Sequence, residues 1–510
     1  MSGKSSVASN TIFLSIRMVL VMAVSLYTSR VVLSSLGSIN YGVYNVVAGT
    51  IAALAFFYSS LSNAVQRVLG ISITTQDIFS LRQTFSQCLS VLGVFALSLV
   101  LIGGIVSYPI ISFLNIPNEV KISALWVFLF NVGLFAFAMI RSAYESVFII
   151  HEDMSTFAYV SVFEVVGRLG VALLITIFPE DSRLWIYGCL LFIIQGVVMG
   201  VYIFLSYRKY EECRGNYFVW NKTQVRDIFS FIGFNTLGGL SVAVAFQGIT
   251  ILQNLFFGPV INAAQGIATQ ISGVFNQFSG NVLTAAKPRI IKDYAVGHVE
   301  KTLDLAMRIS RITFFVLLLG ATPVLLNAQY LLSIWLGTYP KETPLFMSIA
   351  IVQALVAVFA QPLWVVANAT GKIKNIQVYG RLITMMALPI SWLLVKVLPY
   401  SYIPLFVLVL VELGYWMYCL QDIHYQVALS RRVYLKSVVK PICLILVLYI
   451  PILVAVGYYY IEEPLVRLLA GSTVAISLVT VLIWLWGLDT FERALFLTYI
   501  QRGSRIYIKK

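Results

Sequence analysis

Few side chains in this sequence can do polar chemistry in apolar surroundings, and the most conspicuous is an arginine. The stretch SLYTSRVVLSSLGSINYGVYNVV, residues 25–47, is almost wholly apolar or small, yet Arg30 sits within it. No Asp or Glu occurs before Asp77, so Lys4, Arg17, Arg30 and Arg67 have no acidic neighbour in their own part of the chain. A guanidinium stays charged when desolvated, and its planar fork suits paired phosphate or carboxylate oxygens. Arg30 and Arg17 are therefore anion-binding candidates. The competing reading is that each carries its head to the nearer membrane interface on a long apolar stem. Thirteen residues separate them, about 20 Å of helix and roughly 140° of rotation. They cannot both point squarely at one small site.

Two further pairs carry both signs. Arg141 and Glu145 stand four apart, as do Glu164 and Arg168, and residues at that spacing share a helix face. Arg141 and Glu164 each lie about eight residues from the short connection between their segments, which places both roughly 12 Å deep on antiparallel neighbours. They can meet as a structural ion-pair cluster, as an anion site, or as a proton relay through Glu164. Glu164 and Glu412 are the deep carboxylates to nominate should the resemblance drawn below imply coupling to H+ or Na+.

A third pattern is uncharged. Asn262, Gln265, Thr269, Ser272, Asn276 and Ser279 recur every three or four residues and draw one polar stripe along a helix. Asn45, Gly49, Ser59 and Asn63 form a milder version. Lipid does not accept such a stripe, so it faces either other helices through hydrogen bonds or a water-filled cavity. Amides and hydroxyls in a cavity suit a sugar-bearing ligand, which makes Asn45 and Asn276 binding candidates.

The elements that must position these groups follow from composition. The chain has 510 residues, of which 59% are hydrophobic and 11% charged, with a mean hydropathy of +0.89. Soluble proteins carry about 25% charged residues, so the chain reads as an integral membrane protein. Fourteen stretches are long enough to cross a bilayer, which takes about 20 apolar residues: 11–36, 41–65, 84–111, 121–148, 156–178, 185–207, 228–257, 262–286, 309–330, 345–369, 374–397, 402–421, 437–459 and 465–488. The runs are continuous rather than alternating, which argues for helices over a β-barrel. The expected fold is all-α and polytopic, with about 14 transmembrane helices.

Alternate connections divide 26 lysines and arginines from five (Lys121, Arg183, Lys341, Lys396 and Arg467), and four more (Arg17, Arg30, Arg141 and Arg168) lie within spans. That asymmetry puts both termini in the cytoplasm. It also accounts for the net charge of +14 without a nucleic-acid partner. The five cysteines, Cys88, Cys189, Cys213, Cys419 and Cys443, are widely spaced and read as apolar filler. His151, His298 and His424 all fall in cytoplasmic connections. No metal, nucleotide or catalytic motif is present. The connections are short on both faces, so the helices themselves must carry the function.

A weak internal repeat pairs SSLGSINYG at 34–42 with LFFGPVINA at 255–263, setting Gly37 against Gly258, and Arg67 pairs with Arg289 with one indel allowed. Two parallel six-helix lobes at 1–215 and 216–430 would follow, with a site between them. Residues 431–488 supply two additional transmembrane helices, and 489–510 a basic cytoplasmic tail.

The segment TSRVVLSSLGSINYGVYNVVAG resembles the start of polysaccharide flippases of the multidrug/oligosaccharidyl-lipid/polysaccharide exporter superfamily, with an Arg near the end of span 1, a Leu-Gly turn, and YGxY opening span 2. NAVQRVLG at 63–70 and AAKPRIIKDYAVG at 285–297 are similar to the family as well. The resemblance implies a non-enzymatic flippase for undecaprenyl-diphosphate-linked oligosaccharide in a bacterial inner membrane, working by alternating access in a V of two bundles. It implies Arg30 first, then Arg17, as diphosphate ligands; Arg168 and Arg141 rest on the physical argument alone. H+ or Na+ coupling is expected rather than a cofactor, with a polysaccharide polymerase and glycosyltransferases as partners. The rival readings are a cation-coupled drug antiporter of the same superfamily and a lipid II flippase.

Overall fold

A computed structural model describes the backbone of residues 2–73, 77–151, 153–214, 219, 222–458, 463–490 and 492–494; within these, the side chains of 2–19, 71, 222–238 and 457–458 are not described. Arg17 and most of the basic tail lie outside the described side chains. Among the described residues the chain is helical throughout, without strands. The helices are α1 Ser2–Ala52, α2 Ala55–Ser72, α3 Ile78–Phe113, α4 Lys121–Ile150, α5 Met154–Leu174, α6 Glu180–Lys209, α7 Lys222–Phe257, α8 Pro259–Ala295 and α9 Val299–Leu326. They continue as α10 Ala328–Leu336, α11 Thr343–Thr370, α12 Arg381–Met385, α13 Ala387–Val397, α14 Ile403–Val427, α15 Arg431–Tyr434, α16 Lys440–Tyr458, α17 Pro464–Val466 and α18 Ser472–Leu482. π-helical turns at Ile376–Gly380, Leu435–Val439, Arg467–Gly471 and Ile483–Gly487 join some of them into longer rods.

Twelve helices among the described residues are long and apolar enough to cross a membrane, so the protein is a multi-pass membrane protein. The other expected stretches, 41–65 and 262–286, are helical but do not add to the twelve. The first is divided between α1 and α2 by a turn at Ala53 and Leu54. The second is α8, whose polar residues keep its hydropathy low.

By internal contacts the chain forms two compact units. The first comprises Met1–Ile267, Trp335–Thr343 and Met385–Pro404, and the second Ala268–Ile334, Pro344–Thr384 and Leu405–Lys510.

In the first unit α1 is two helices joined at Gly37, whose φ of 72° and ψ of 168° lie outside helical space. Gly258, between α7 and α8, also has positive φ, 82°. Only glycine adopts such angles without strain, and these are the two glycines that the sequence comparison of 34–42 with 255–263 sets against one another. After its kink α1 packs on α8 so closely that a Cβ on Gly42 would fall 1.7 Å from the Pro259 carbonyl oxygen. The apolar core is built by α2, α3, α4 and α6, with Phe85, Met139, Phe148 and Tyr202 wholly enclosed. At the α4–α5 turn Asp153 accepts from the Thr156 amide (3.3 Å) and bonds Lys209 and Tyr210 at the end of α6. That short connection carries no basic residue of its own, and α6 supplies one.

In the second unit an aromatic ladder runs from Phe314 to Phe359 (5.4 Å), Trp416 (5.1 Å) and Tyr434 (6.2 Å). Arg311, nearly buried on α9, donates to the Ser437 carbonyl (2.8 Å) and pairs with Asp489 (3.0 Å) and Glu492. Asp489 and Glu492 accept from one another's backbone amides (2.8 and 2.9 Å), a reciprocal cap that starts a helical turn just beyond the last span. Burial alone would raise the Asp489 carboxyl. The Glu492 amide and the Arg311 and Arg308 guanidiniums outweigh it and hold the group below its ordinary range.

Candidate functional site

The four charges of α4 and α5 form one network in the first unit. Arg141 pairs with Glu145 (3.0 Å) and Glu164 (2.8 Å), and Arg168 pairs with the other oxygen of Glu164 (2.7 Å). Tyr58 donates to Glu145 (3.3 Å), and Arg141 lies over the Tyr202 ring at 5.8 Å. The enclosed Gln195 amide closes the network, oriented so that its nitrogen donates to Glu164 (3.3 Å) and its oxygen accepts from Arg141 (2.6 Å). The network balances two positive charges against two negative ones. The Arg141 side chain is 11% exposed and engaged by two carboxylates, whereas that of Arg168 is 46% exposed and holds a single carboxylate oxygen. Of the pair, Arg168 is the one with room for a further ligand.

Arg30 is exposed on α1 with Tyr27 and Ser34, three residues before and four after, on one face. The helix there is braced on other sides. Trp335 donates its indole N–H to the Leu26 carbonyl (2.8 Å). Arg183, at the start of α6, donates to the carbonyls of Ser35 (3.0 Å) and Phe178 (2.8 Å), closing the C-terminal end of the helix before the Gly37 kink. From the sequence Arg183 counts only as an outward-side charge, because one acceptor, the Ser35 carbonyl, lies on another helix 148 residues away, and the nearer one at Phe178 is a backbone group with no sequence signature. Arg17 lies in α1, but its side chain is outside the described residues.

The polar stripe of α8 divides. Asn262 is wholly buried, donates to the Thr250 carbonyl (2.7 Å) and accepts from Asn254 (3.0 Å). Asn254 accepts from the Asn115 amide (2.8 Å). This end of the stripe ties the α3–α4 turn to the α7–α8 hairpin. Further along, Thr269 and Asn276 are exposed, Gln265 and Ser272 are half-buried, and Ser279 is buried again. Asn45 is half-buried, donates to its own Tyr41 carbonyl (2.8 Å) and lies against Gly266.

Glu412 lies in the second unit and lines a cavity of about 340 Å³ with Gln361, Trp364, Arg381 and Tyr415. The Arg381 guanidinium stands over the Tyr415 ring at 4.5 Å, and Lys287 lies 5.9 Å from the Trp364 ring. Sequence reasoning took Arg381 as an interfacial charge and passed over Trp364. The two are separated by a π-helical turn and a loop, and no local spacing links them.

No known family's sequence profile matches the chain, and no curated protein sequence matches it. Solved structures do. The chain is similar to an inward-facing multidrug resistance MATE family transporter of the MOP superfamily, with TM-score 0.69 and 11% identity over 82% of this chain and 98% of that one. It is similar to the lipid II flippase MurJ in an inward closed conformation, with TM-score 0.65 and 9% identity over 93% and 99% of the two chains. An outward-facing MATE transporter gives TM-score 0.56 and 14% identity over 82% and 94%. At these identities the likeness is one of fold.

Proposed function

We propose that the chain is a flippase that carries undecaprenyl-diphosphate-linked oligosaccharide from the inner to the outer leaflet of a bacterial inner membrane, by alternating access and with both termini in the cytoplasm. The observation that carries this reading is the exposed Tyr27–Arg30–Ser34 face on a membrane-crossing helix. A guanidinium within a membrane helix is costly, up to about 2.5–3.5 kcal/mol at the helix centre on insertion scales, and a polar face of this kind is retained where it meets water or an anionic ligand. A diphosphate offers the paired oxygens that such a fork holds. Arg30 is assigned to the diphosphate, with Arg17 second and Arg168 as a further contact. Arg141 is committed to its two carboxylates and serves by positioning Glu164 and α5. Asn276, exposed on the polar face of α8, is assigned to sugar hydroxyls.

A flippase of this kind needs only to hold the headgroup differently in two states, so that substrate or a coupling ion shifts their populations. Of the two carboxylates nominated for H+ or Na+ coupling, Glu412 is favoured, and for H+ rather than Na+, since Glu164 already meets two guanidiniums and a cation at Glu412 would face Arg381. The chain is read as two six-span repeats followed by two extra spans, with glycosyltransferase partners upstream of the flip and a polymerase downstream.

A lipid II flippase is the second reading. It is favoured by the larger share of the chain, 93% against 82%, that matches the solved flippase. Lipid II is itself a lipid-linked saccharide, and one experiment separates the two. Proteoliposomes holding the purified protein are loaded with either lipid II or an undecaprenyl-diphosphate oligosaccharide, and appearance of the sugar in the opposite leaflet is scored with a membrane-impermeant lectin or enzyme. Transport of the oligosaccharide lipid supports the first reading, transport of lipid II alone the second, and transport of neither overturns both.

A further inference from the structure

Glu412 and Arg381 share their cavity with two polar groups that no motif singles out. Gln361 and Trp364 stand three apart on one face of α11, and Glu412 and Tyr415 three apart on α14. Arg381 opens α12 immediately after a π-helical turn. Three helices of the second unit thus converge on about 340 Å³, within the range of about 300–1,000 Å³ usual for small-molecule pockets. Two donors there, the Trp364 indole N–H and the Arg381 Nε–H, are buried without a hydrogen-bond acceptor. Buried donors are nearly always satisfied, and an unmet one in a cavity points to a missing partner.

Building on the reading above that the cargo bears sugars, we infer that this cavity is a saccharide subsite, taking one hydroxylated ring of the headgroup, with Trp364 and Arg381 donating to ring hydroxyls and Gln361 and Glu412 accepting from them. The alternatives fit the chemistry less well. A prenyl chain would leave both donors unmet. A simple anion would meet the Glu412 carboxylate beside the Arg381 guanidinium, which acts on it across the same space. A metal ion would face that guanidinium, and no group of three ligating His, Cys, Asp or Glu exists among the described residues. A neutral polyol needs donors and acceptors together, and the electron-rich faces of rings such as Trp364 and Tyr415 suit its C–H groups.

The test is equilibrium binding by the full-length protein in lipid nanodiscs to two probes, undecaprenyl diphosphate and the same lipid carrying one N-acetylglucosamine. The wild type is expected to prefer the sugar-bearing probe. Trp364→Phe keeps the ring and removes the donor, and Gln361→Met keeps the volume and removes the amide. Each is expected to weaken binding of the sugar-bearing probe roughly five- to tenfold, as loss of one hydrogen bond does, with binding of undecaprenyl diphosphate and the melting temperature unchanged. If the wild type binds both probes equally, or if the variants change both probes alike or neither, the saccharide subsite is overturned while the flippase reading stands. If the wild type binds neither probe, the flippase reading falls and the subsite falls with it.

Discussion

Asn45 lies against Gly266, and the interval between them, 221 residues, is the interval between Gly37 and Gly258, the two glycines that open their respective helices in left-handed backbone. A Cβ on Gly266 would come within 2.7 Å of the Asn45 amide, and one on Gly42 within 3.2 Å of the Ala263 nitrogen, again 221 residues away. Matching positions facing one another is the geometry of two segments related by a two-fold axis. The small residues permit a helix approach that side-chain packing in lipid rewards.

That contact is sensitive to volume. Gly42→Ala is expected to lower stability by about 1–3 kcal/mol, the usual range for overpacking, because its Cβ would meet the Pro259 carbonyl oxygen at 1.7 Å and backbone cannot swing aside. Gly266→Ala meets a side chain that can turn and should cost less. Thermal denaturation followed by fluorescence-detected size-exclusion chromatography reads both. Equal and negligible shifts would show that the helices have slack.

The buried network separates two arginines that look alike in sequence. Removing one partner of a buried ion pair costs about 3–5 kcal/mol, because it strands a charge. Arg141→Gln should therefore markedly lower the melting temperature. Arg168, half exposed, should cost under about 1 kcal/mol and act on transport instead. The prediction fails if Arg168→Gln destabilises as much as Arg141→Gln.

How much of this was readable beforehand differs by element. The depth arithmetic brought Arg141 and Glu164 to the same level on neighbouring helices, and they meet at 2.8 Å. It worked because the connection is short and both residues are counted from it. The α8 stripe was read as one face with one fate, yet Asn262 is enclosed and Asn276 exposed. Neighbours cover Asn262 and Ser279 but leave Asn276 between them open, and periodicity carries no information on which part of a face a neighbour covers. Arg183, Arg311 and Arg381 were counted as topological charges. Each has partners more than 30 residues away, which local spacing cannot reveal.

The two ends of α8 should respond differently to the same change. Asn262→Ala leaves the buried Asn254 amide short of an acceptor and should cost about 1–3 kcal/mol, visible as lost thermal stability. Asn276→Ala should leave stability within about 0.5 kcal/mol and lower transport. A stable Asn262→Ala protein would mean that the amide chain linking Asn115 to α8 is dispensable.

Acid should probe the α4–α5 turn. Burial would raise the Asp153 carboxyl, but Lys209, Thr156 and Ser155 hold it down at about 2, below its ordinary 3.8. A depressed carboxylate contributes stability in full above its unfolded value and loses it as pH falls toward the folded one. The contribution should thus be complete above about 3.8 and fade toward about 2. Asp153→Asn should melt below the wild type at neutral pH and approach it at the acid end. A gap that stays constant from pH 6 to pH 3 and below would rule out this titration.

On the proposed flippase reading, Arg30 is the decisive side chain. It shares an exposed face with Tyr27 and Ser34, so its replacement removes few packing contacts. Arg30→Ala is expected to reach the membrane at wild-type levels and melt within about 0.5 kcal/mol of it, as exposed substitutions do. It should nonetheless abolish delivery of the lipid-linked sugar to the outer leaflet. Arg30→Lys keeps the charge and loses the planar fork, so partial transport is expected, with a larger defect at high ionic strength, where a point charge is screened. Leaflet-specific lectin labelling of reconstituted vesicles, normalised to protein level, makes the comparison. Full transport by Arg30→Ala would instead make Arg30 an interfacial anchor, and the diphosphate would have to be held by Arg168 or Arg17.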